Sequence, residues 1–398
     1  MTGHRGERAL SIFPLVFITS MLLGIPQPRI ALAVNPDIPR IQAGAERGSI
    51  QQQIELAAAY LAGHGVPRDE KQAAYWYEKA ANAGDPGAQQ EIGYFYQAGI
   101  GVERDPARAT QWFERAVAGG LMSAKVNLGV SYVWGSGKRK DPVFAAQLFR
   151  EAAQKGSGTG ACYLGLMYNF GVGIPKDASE ARHWFELGAK LHNVPAKFDL
   201  ALLLSKEPDA ASRDRALRLL RESAAAGVVA AKHQLGLEIL HKPDLARTPN
   251  EAVLLFEEAA SDGFWKSSLV LGILSRDGSG MAKDSKAAYY HIRIAALQGG
   301  EKAAKLTAND LRALSLELGQ TQIQGIDREA EAWVQKHNRP LEFVNLQGEN
   351  ASMFPAYALQ YPAENVHAGL LLGTPDADGA DPTPDAGDSF PRHSLTMK

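Results

Sequence analysis

A single cysteine, Cys162, stands in 398 residues, so the chain can form no internal disulfide and no cysteine-based zinc site. Its neighbours Ala161 and Tyr163 belong to an expected packed helix, which reads the thiol as a small core residue. An excess of charge of one sign is also missing. With Lys+Arg 42 against Asp+Glu 44 the net charge is −2, so no basic field points to nucleic acid or an anionic membrane. β-branched runs are scarce and alanine is abundant, which favours helix over sheet. No Ser-x-x-Lys, Gly-x-Ser-x-Gly, His-Glu-x-x-His or P-loop pattern occurs. The ten histidines make no close pair at ligand spacing. The expectation is therefore a non-enzymatic protein with no cofactor and no metal centre.

The longest apolar stretch, Leu10 to Ile25, is short and contains Pro14, which argues against a stable membrane span. Arg5 and Arg8 precede it; Pro26-Gln27-Pro28 and Ala31-Leu32-Ala33 follow. Positive charge, a short apolar run and a small-x-small site describe a secretory signal peptide over residues 1–33. No cysteine stands at the end of the run, so a lipid-anchored form is not expected. Cleavage after Ala33 would leave a periplasmic or secreted chain beginning at Val34. The alternative is an uncleaved signal that anchors the chain in the membrane.

What the sequence does contain is a repeat. Tyr60, Tyr96, Tyr132 and Tyr168 are spaced by 36 residues. The same offset carries Gly63-x-Gly65 to the pairs beginning at Gly99, Gly135 and Gly171, and Asp69 to Asp105, Asp141 and Asp177. It carries Trp76 to Trp112, Leu148 and Trp184. Each unit reads as two helices. Glycine ends helix A because it takes the left-handed conformation cheaply. Aspartate caps helix B, with proline at the first helical position in Asp105-Pro106 and Asp141-Pro142. Asp69-x-x-Gln72 and Asp177-x-x-Glu180 read as capping boxes. The tryptophan is expected to fill the space between units, and small residues of both helices to allow close approach.

Three further units follow less perfectly. One restores the pattern at Leu271-Gly272, Gly278-x-Gly280 and Asp284. The unit before it is marked by Leu235-Gly236 and a cap at Thr248-Pro249-Asn250-Glu251. A worn unit lies between Lys197 and Gly227. These two middle units lack Gly-x-Gly and the helix B aromatic, so a local change of curvature is expected there. One helix pair cannot bury both its faces, so stacking makes the core.

Residues Leu56 to Ala81 and Ile92 to Ala116 match the pattern almost position by position. In these residues the chain resembles the Sel-1-like repeat, a relative of the tetratricopeptide repeat. The resemblance implies an all-α, right-handed α-solenoid superhelix of about seven antiparallel helix pairs with capping helices. It also implies an adaptor: members serve in protein assembly, envelope signalling, polysaccharide export and host interaction. A cysteine-rich branch linked to β-lactam hydrolysis has paired cysteines that this chain lacks. The expected layout is a signal over 1–33, an N-terminal cap over 34–48 and the solenoid over 49–300. Capping helices follow over 301–339, with Asp327 opening the last one and Trp333 packing back, then an extension over 340–373 and a disordered tail over 374–398.

The variable helix A positions at i, i+4 and i+7 form a stripe that the resemblance places on the concave side. Glu91, Phe95, Asn127, Trp134, Tyr163, Met167 and Phe170 lie on it, several of them larger and more apolar than the repeat requires. Two readings stand side by side: an aromatic patch that receives a partner's segment, or packing between adjacent A helices. On the first, the chain is an exported protein-binding scaffold of the cell envelope. A carbohydrate-binding or polysaccharide-export component is the alternative, with the aromatics stacking on sugar rings.

Overall fold

The computed structural model describes residues 37–248 and 250–337. The expected signal peptide, Pro249, the extension over 340–373 and the tail over 374–398 lie outside the described residues. Among the described residues there are seventeen α-helices, one short 3-10 turn and no strand.

Helix α1 (Ile38–Glu46) precedes seven helix pairs. The pairs are α2 (Ile50–Ala62) with α3 (Glu70–Asn82), α4 (Pro86–Ala98) with α5 (Pro106–Ala118), and α6 (Met122–Trp134) with α7 (Pro142–Gln154). Next come α8 (Gly158–Phe170) with α9 (Ala178–Lys190), and α10 (Val194–Leu204) with α11 (Ala210–Ala225). The last two are α12 (Val229–His241) with α13 (Glu251–Ser261), and α14 (Trp265–Asp277) with α15 (Ser285–Gln298). Helices α16 (Gly300–Leu318) and α17 (Gln320–His337) close the array. Each helix packs on its chain neighbours, so the fold is a solenoid of consecutive pairs.

The first glycine of each Gly-x-Gly ends helix A in the left-handed conformation, as at Gly99 with φ 76°. The second glycine does something the spacing alone does not reveal. A Cβ on Gly101 would lie 2.0 Å from the Glu70 carbonyl oxygen, and one on Gly137 2.3 Å from Ala107 Cα. Each therefore lets the inter-helix turn sit on the start of the preceding unit's helix B.

The capping aspartates accept backbone N–H bonds as expected: Asp69 from Lys71 and Gln72, and Asp177 from Ser179 and Glu180. The reciprocal half of the expected capping boxes does not form. The Asp69 N–H donates to the Tyr60 carbonyl at 2.9 Å, and the Asp177 N–H to the Tyr168 carbonyl at 3.0 Å. Glu180 is left to accept from the Trp184 indole N–H at 3.0 Å.

The core is built on a different aromatic from the one the spacing singles out. Trp76, Trp112 and Trp184 are buried, but the next residue in each case, Tyr77, Phe113 and Phe185, is buried more completely. Phe113, Phe149, Phe185 and Phe256 sit on Gly93, Gly129, Gly165 and Gly236 so closely that a Cβ there would fall 2.5–2.7 Å from the ring. Phe256 also corrects the expectation that the sixth unit has no helix B aromatic. In the worn fifth unit, Leu220 is the buried counterpart.

Three further expectations change. Asn250 makes no side-chain cap bond; its backbone is left-handed at φ 61°. The break between the closing helices falls at Gly319, and Asp327 lies inside α17, 3.0 Å from Arg293 Nε. Trp333 stacks on His337 of its own helix, with ring centroids 4.0 Å apart.

Candidate functional site

The helix A stripe divides into a buried and an accessible part. Phe95, Asn127, Tyr163 and Met167 are buried, which removes them from any surface patch. Phe95 meets Tyr77 edge-on at 5.4 Å between centroids, and Tyr163 stacks on Phe149 at 5.1 Å. Packing against the preceding unit's helix B therefore explains both rings, in place of the expected packing between adjacent A helices. Glu91 and Phe170 are partly exposed, and Trp134 is 38% exposed. Trp134 and Phe170 are the last residues of α6 and α8, one repeat apart, each followed by a terminating glycine.

The stripe is also more polar inside than its sequence suggests. Burial raises the Glu91 carboxyl to about 7. Burial, and then the Glu91 charge, push the Tyr77 hydroxyl up. Neither amide atom of Asn127 finds a hydrogen-bond partner among the described residues. One repeat beyond Tyr163 stands Asp199, which the sequence reading passed over because it lies in the worn unit. It is buried, and burial raises its carboxyl to about 8. The Cys162 Sγ–H donates to Asp199 Oδ2 at 3.7 Å, and burial holds that thiol well above its usual value. This places Cys162 in the core. Counting 36 residues on from Tyr163 would have found Asp199.

Between units, the repeat tyrosine reaches back to the preceding helix B. Tyr96 donates to Glu78 Oε1 at 3.1 Å, and Tyr168 accepts from Arg150 at 3.0 Å. Ion pairs run alongside, such as Arg108–Glu78 at 3.1 Å and Arg215–Glu186 at 2.9 Å. His233 lies between the Phe256 and Phe264 rings with Nδ1 2.8 Å from Ser267 Oγ, and burial lowers its pKa to about 3. Among the described residues, no three His, Cys, Asp or Glu side chains group so as to hold a metal ion. No described helix is long and apolar enough to cross a membrane.

A groove of about 670 Å³ runs between the turns of the first two units. Three of its charged groups are already engaged: Asp69 caps α3, and Arg68 pairs with Glu70 at 2.8 Å.

No curated protein sequence matches the chain. Among solved structures, it is similar to a Sel1 repeat protein from Oxalobacter formigenes, at 28% identity and a TM-score of 0.50, over 55% of this chain and 90% of that one. It also matches a protective antigen of uropathogenic Escherichia coli with an SLR fold. That match has 23% identity and a TM-score of 0.44, over 75% of this chain and 72% of that one. The family model described as Sel1 repeat matches residues 53–85, 86–121, 123–157, 159–193, 229–264 and 267–300. These six matches cover just over half of the chain and coincide with six of its seven helix pairs, passing over the worn fifth. The chain therefore belongs to the Sel1-repeat family.

Proposed function

We propose that this chain is an exported interaction scaffold of the cell envelope that holds a protein partner at the accessible ends of its A helices. Membership of a family whose repeats generally mediate protein interaction supports the scaffold role. The observation that carries the site is Trp134, a large aromatic 38% exposed at the end of α6, with Phe170 at the same place two helices on. An aromatic that the core does not use is a ready anchor for a partner. Glu91 stays a candidate contact on the same face. Export rests on the charge, apolar run and small-x-small pattern of residues 1–33.

The test places a photo-crosslinking amino acid at 134 and separately at 170 in the tagged full-length protein, in cells, with fractionation. Capture of the same envelope protein from both sites, lost in a Trp134→Ala/Phe170→Ala variant that stays folded, supports the reading. Recovery of the chain in the cytoplasmic fraction overturns the envelope location. Crosslinks that survive the double substitution move the site elsewhere, and capture of glycan in place of protein favours carbohydrate binding.

A further inference from the structure

A second surface lies on the helix B side of the first two units. A cavity of about 260 Å³ opens between α3 and α5 and is lined by Glu78, Asn82, Arg108, Gln111, Trp112 and Arg115. Glu78 is fully engaged there, accepting from Tyr96 and pairing with Arg108, whose guanidinium lies 4.2 Å from the Tyr96 ring centre. Two groups in the wall are not engaged. Arg115 rests its guanidinium 4.6 Å from the centre of the Trp112 ring and has no carboxylate partner among the described residues. Trp112 is 6% exposed as a residue, and its indole N–H, which has no acceptor among the described residues, keeps contact with solvent. A donor with no protein acceptor that opens on a cavity can exchange its water for a suitable ligand atom.

The repeat itself shows what such an atom would be. Two units on, Trp184 takes the place of Trp112, and its indole N–H donates to the Glu180 carboxylate at 3.0 Å. The residue equivalent to Glu180 in the second unit is Arg108. The internal carboxylate has thus been replaced by a cation, a second cation stands at Arg115, and the exposed amides of Asn82 and Gln111 complete the rim.

We propose that this cavity binds a carboxylate side chain from an acidic segment of a protein partner, which accepts from the Trp112 indole N–H and pairs with the Arg115 guanidinium. Arginine above an aromatic face, beside amide donors, is well suited to a carboxylate. The site goes beyond the scaffold reading above and uses another face of the molecule.

The test is a titration of the full ¹⁵N-labelled chain with acetyl-Gly-Glu-Gly-amide, following the Trp112 indole N–H resonance, assigned by its absence in Trp112→Phe. The expected result is a saturable shift of that resonance, none with the Gln analogue, and at least tenfold weaker binding in Arg115→Gln. Arg115 is exposed, so circular dichroism should show this variant folded. A still resonance, an equal response to the Gln peptide, or wild-type affinity in Arg115→Gln overturns the proposal. So does an equal shift by inorganic phosphate at the same concentration, which would make the cavity a general anion site. Because the probe is a defined peptide, these results are independent of the crosslinking at Trp134 and Phe170.

Discussion

At the scale of single residues, the close pairs of glycine and aromatic ring make the most direct predictions. A Cβ on Gly129 would lie 2.5 Å from the Phe149 ring, which is fully buried. Gly129→Ala should cost about 1–3 kcal/mol by overpacking, and Phe149→Ala about 3–5 kcal/mol by leaving a cavity. In urea unfolding, the cost of Gly129→Ala should shrink in the Phe149→Ala background, since the ring it strikes is gone. Equal costs in both backgrounds would mean that the ring does not rest on the glycine. Asp199 makes a prediction about pH. Its carboxyl is neutral when folded up to about 8, whereas the unfolded chain ionises it near 3.9. Its contribution to stability is therefore fully present below about pH 4 and is lost as pH rises toward 8. Glu91, raised to about 7, acts in the same direction. Between pH 5.5 and 8.5 the Asp199 carboxyl by itself should withdraw on the order of 3 kcal/mol, so Asp199→Asn should lose about that much less stability over this range than the unsubstituted protein. Thermal melts at the two pH values check it. The glycines were legible in the sequence because their offset repeats. The rings Phe113, Phe149 and Phe185 repeat at the same offset, but which aromatic of each adjacent pair rests on the glycine is set by how the two helices meet.

At the scale of elements, the two glycines of each turn serve different ends. Gly101 and Gly280 both take a left-handed backbone, at φ 63° and 71°. Only Gly101 also touches another unit, where a Cβ would run into the Glu70 carbonyl, while space around Gly280 is open. Alanine at Gly280 should cost about 1 kcal/mol from backbone strain alone. Alanine at Gly101 should cost at least about 1 kcal/mol more, because backbone atoms of two units must separate. Guanidinium titrations of the two variants would show equal midpoints if the second glycine were only a turn residue. The helix pairs themselves were legible from the 36-residue offset. The start of α17 was not. Asp327-Arg328-Glu329-Ala330 has the composition of a helix start, but Gly319 breaks the chain eight residues earlier and Asp327 instead pairs with Arg293 of α15.

At the scale of the whole molecule, one contiguous core runs from Val126 to Leu274 and includes the worn unit through Leu200, Leu204, Ala216 and Leu220. A period of 36 falls to 35 between the starts of α10 and α12, yet the buried side chains continue across it. Repeat arrays loosen from their ends, where a unit has one neighbour only. Amide hydrogen exchange should therefore be slowest in α6–α10 and fastest in α1, α2, α16 and α17. Exchange fastest in α10–α11 would instead mark the worn unit as a break in the stack.

The sequence by itself determined the helical class, the repeat length, the helix ends of the regular units and the family, because each follows from local rules of capping, glycine conformation and spacing. The tertiary structure decided which side chains face a neighbour. Phe95, Tyr163 and Met167 look like an aromatic stripe in one dimension and become core once α3 and α7 lie against them. Trp134 stays accessible, Asp199 is buried as an acid, and Trp112 is left with an unused N–H beside Arg115. Burial is a property of what stands on the neighbouring helix or unit, 14 residues away for Tyr163 and Phe149 and 37 for Cys162 and Asp199, and no local pattern encodes it.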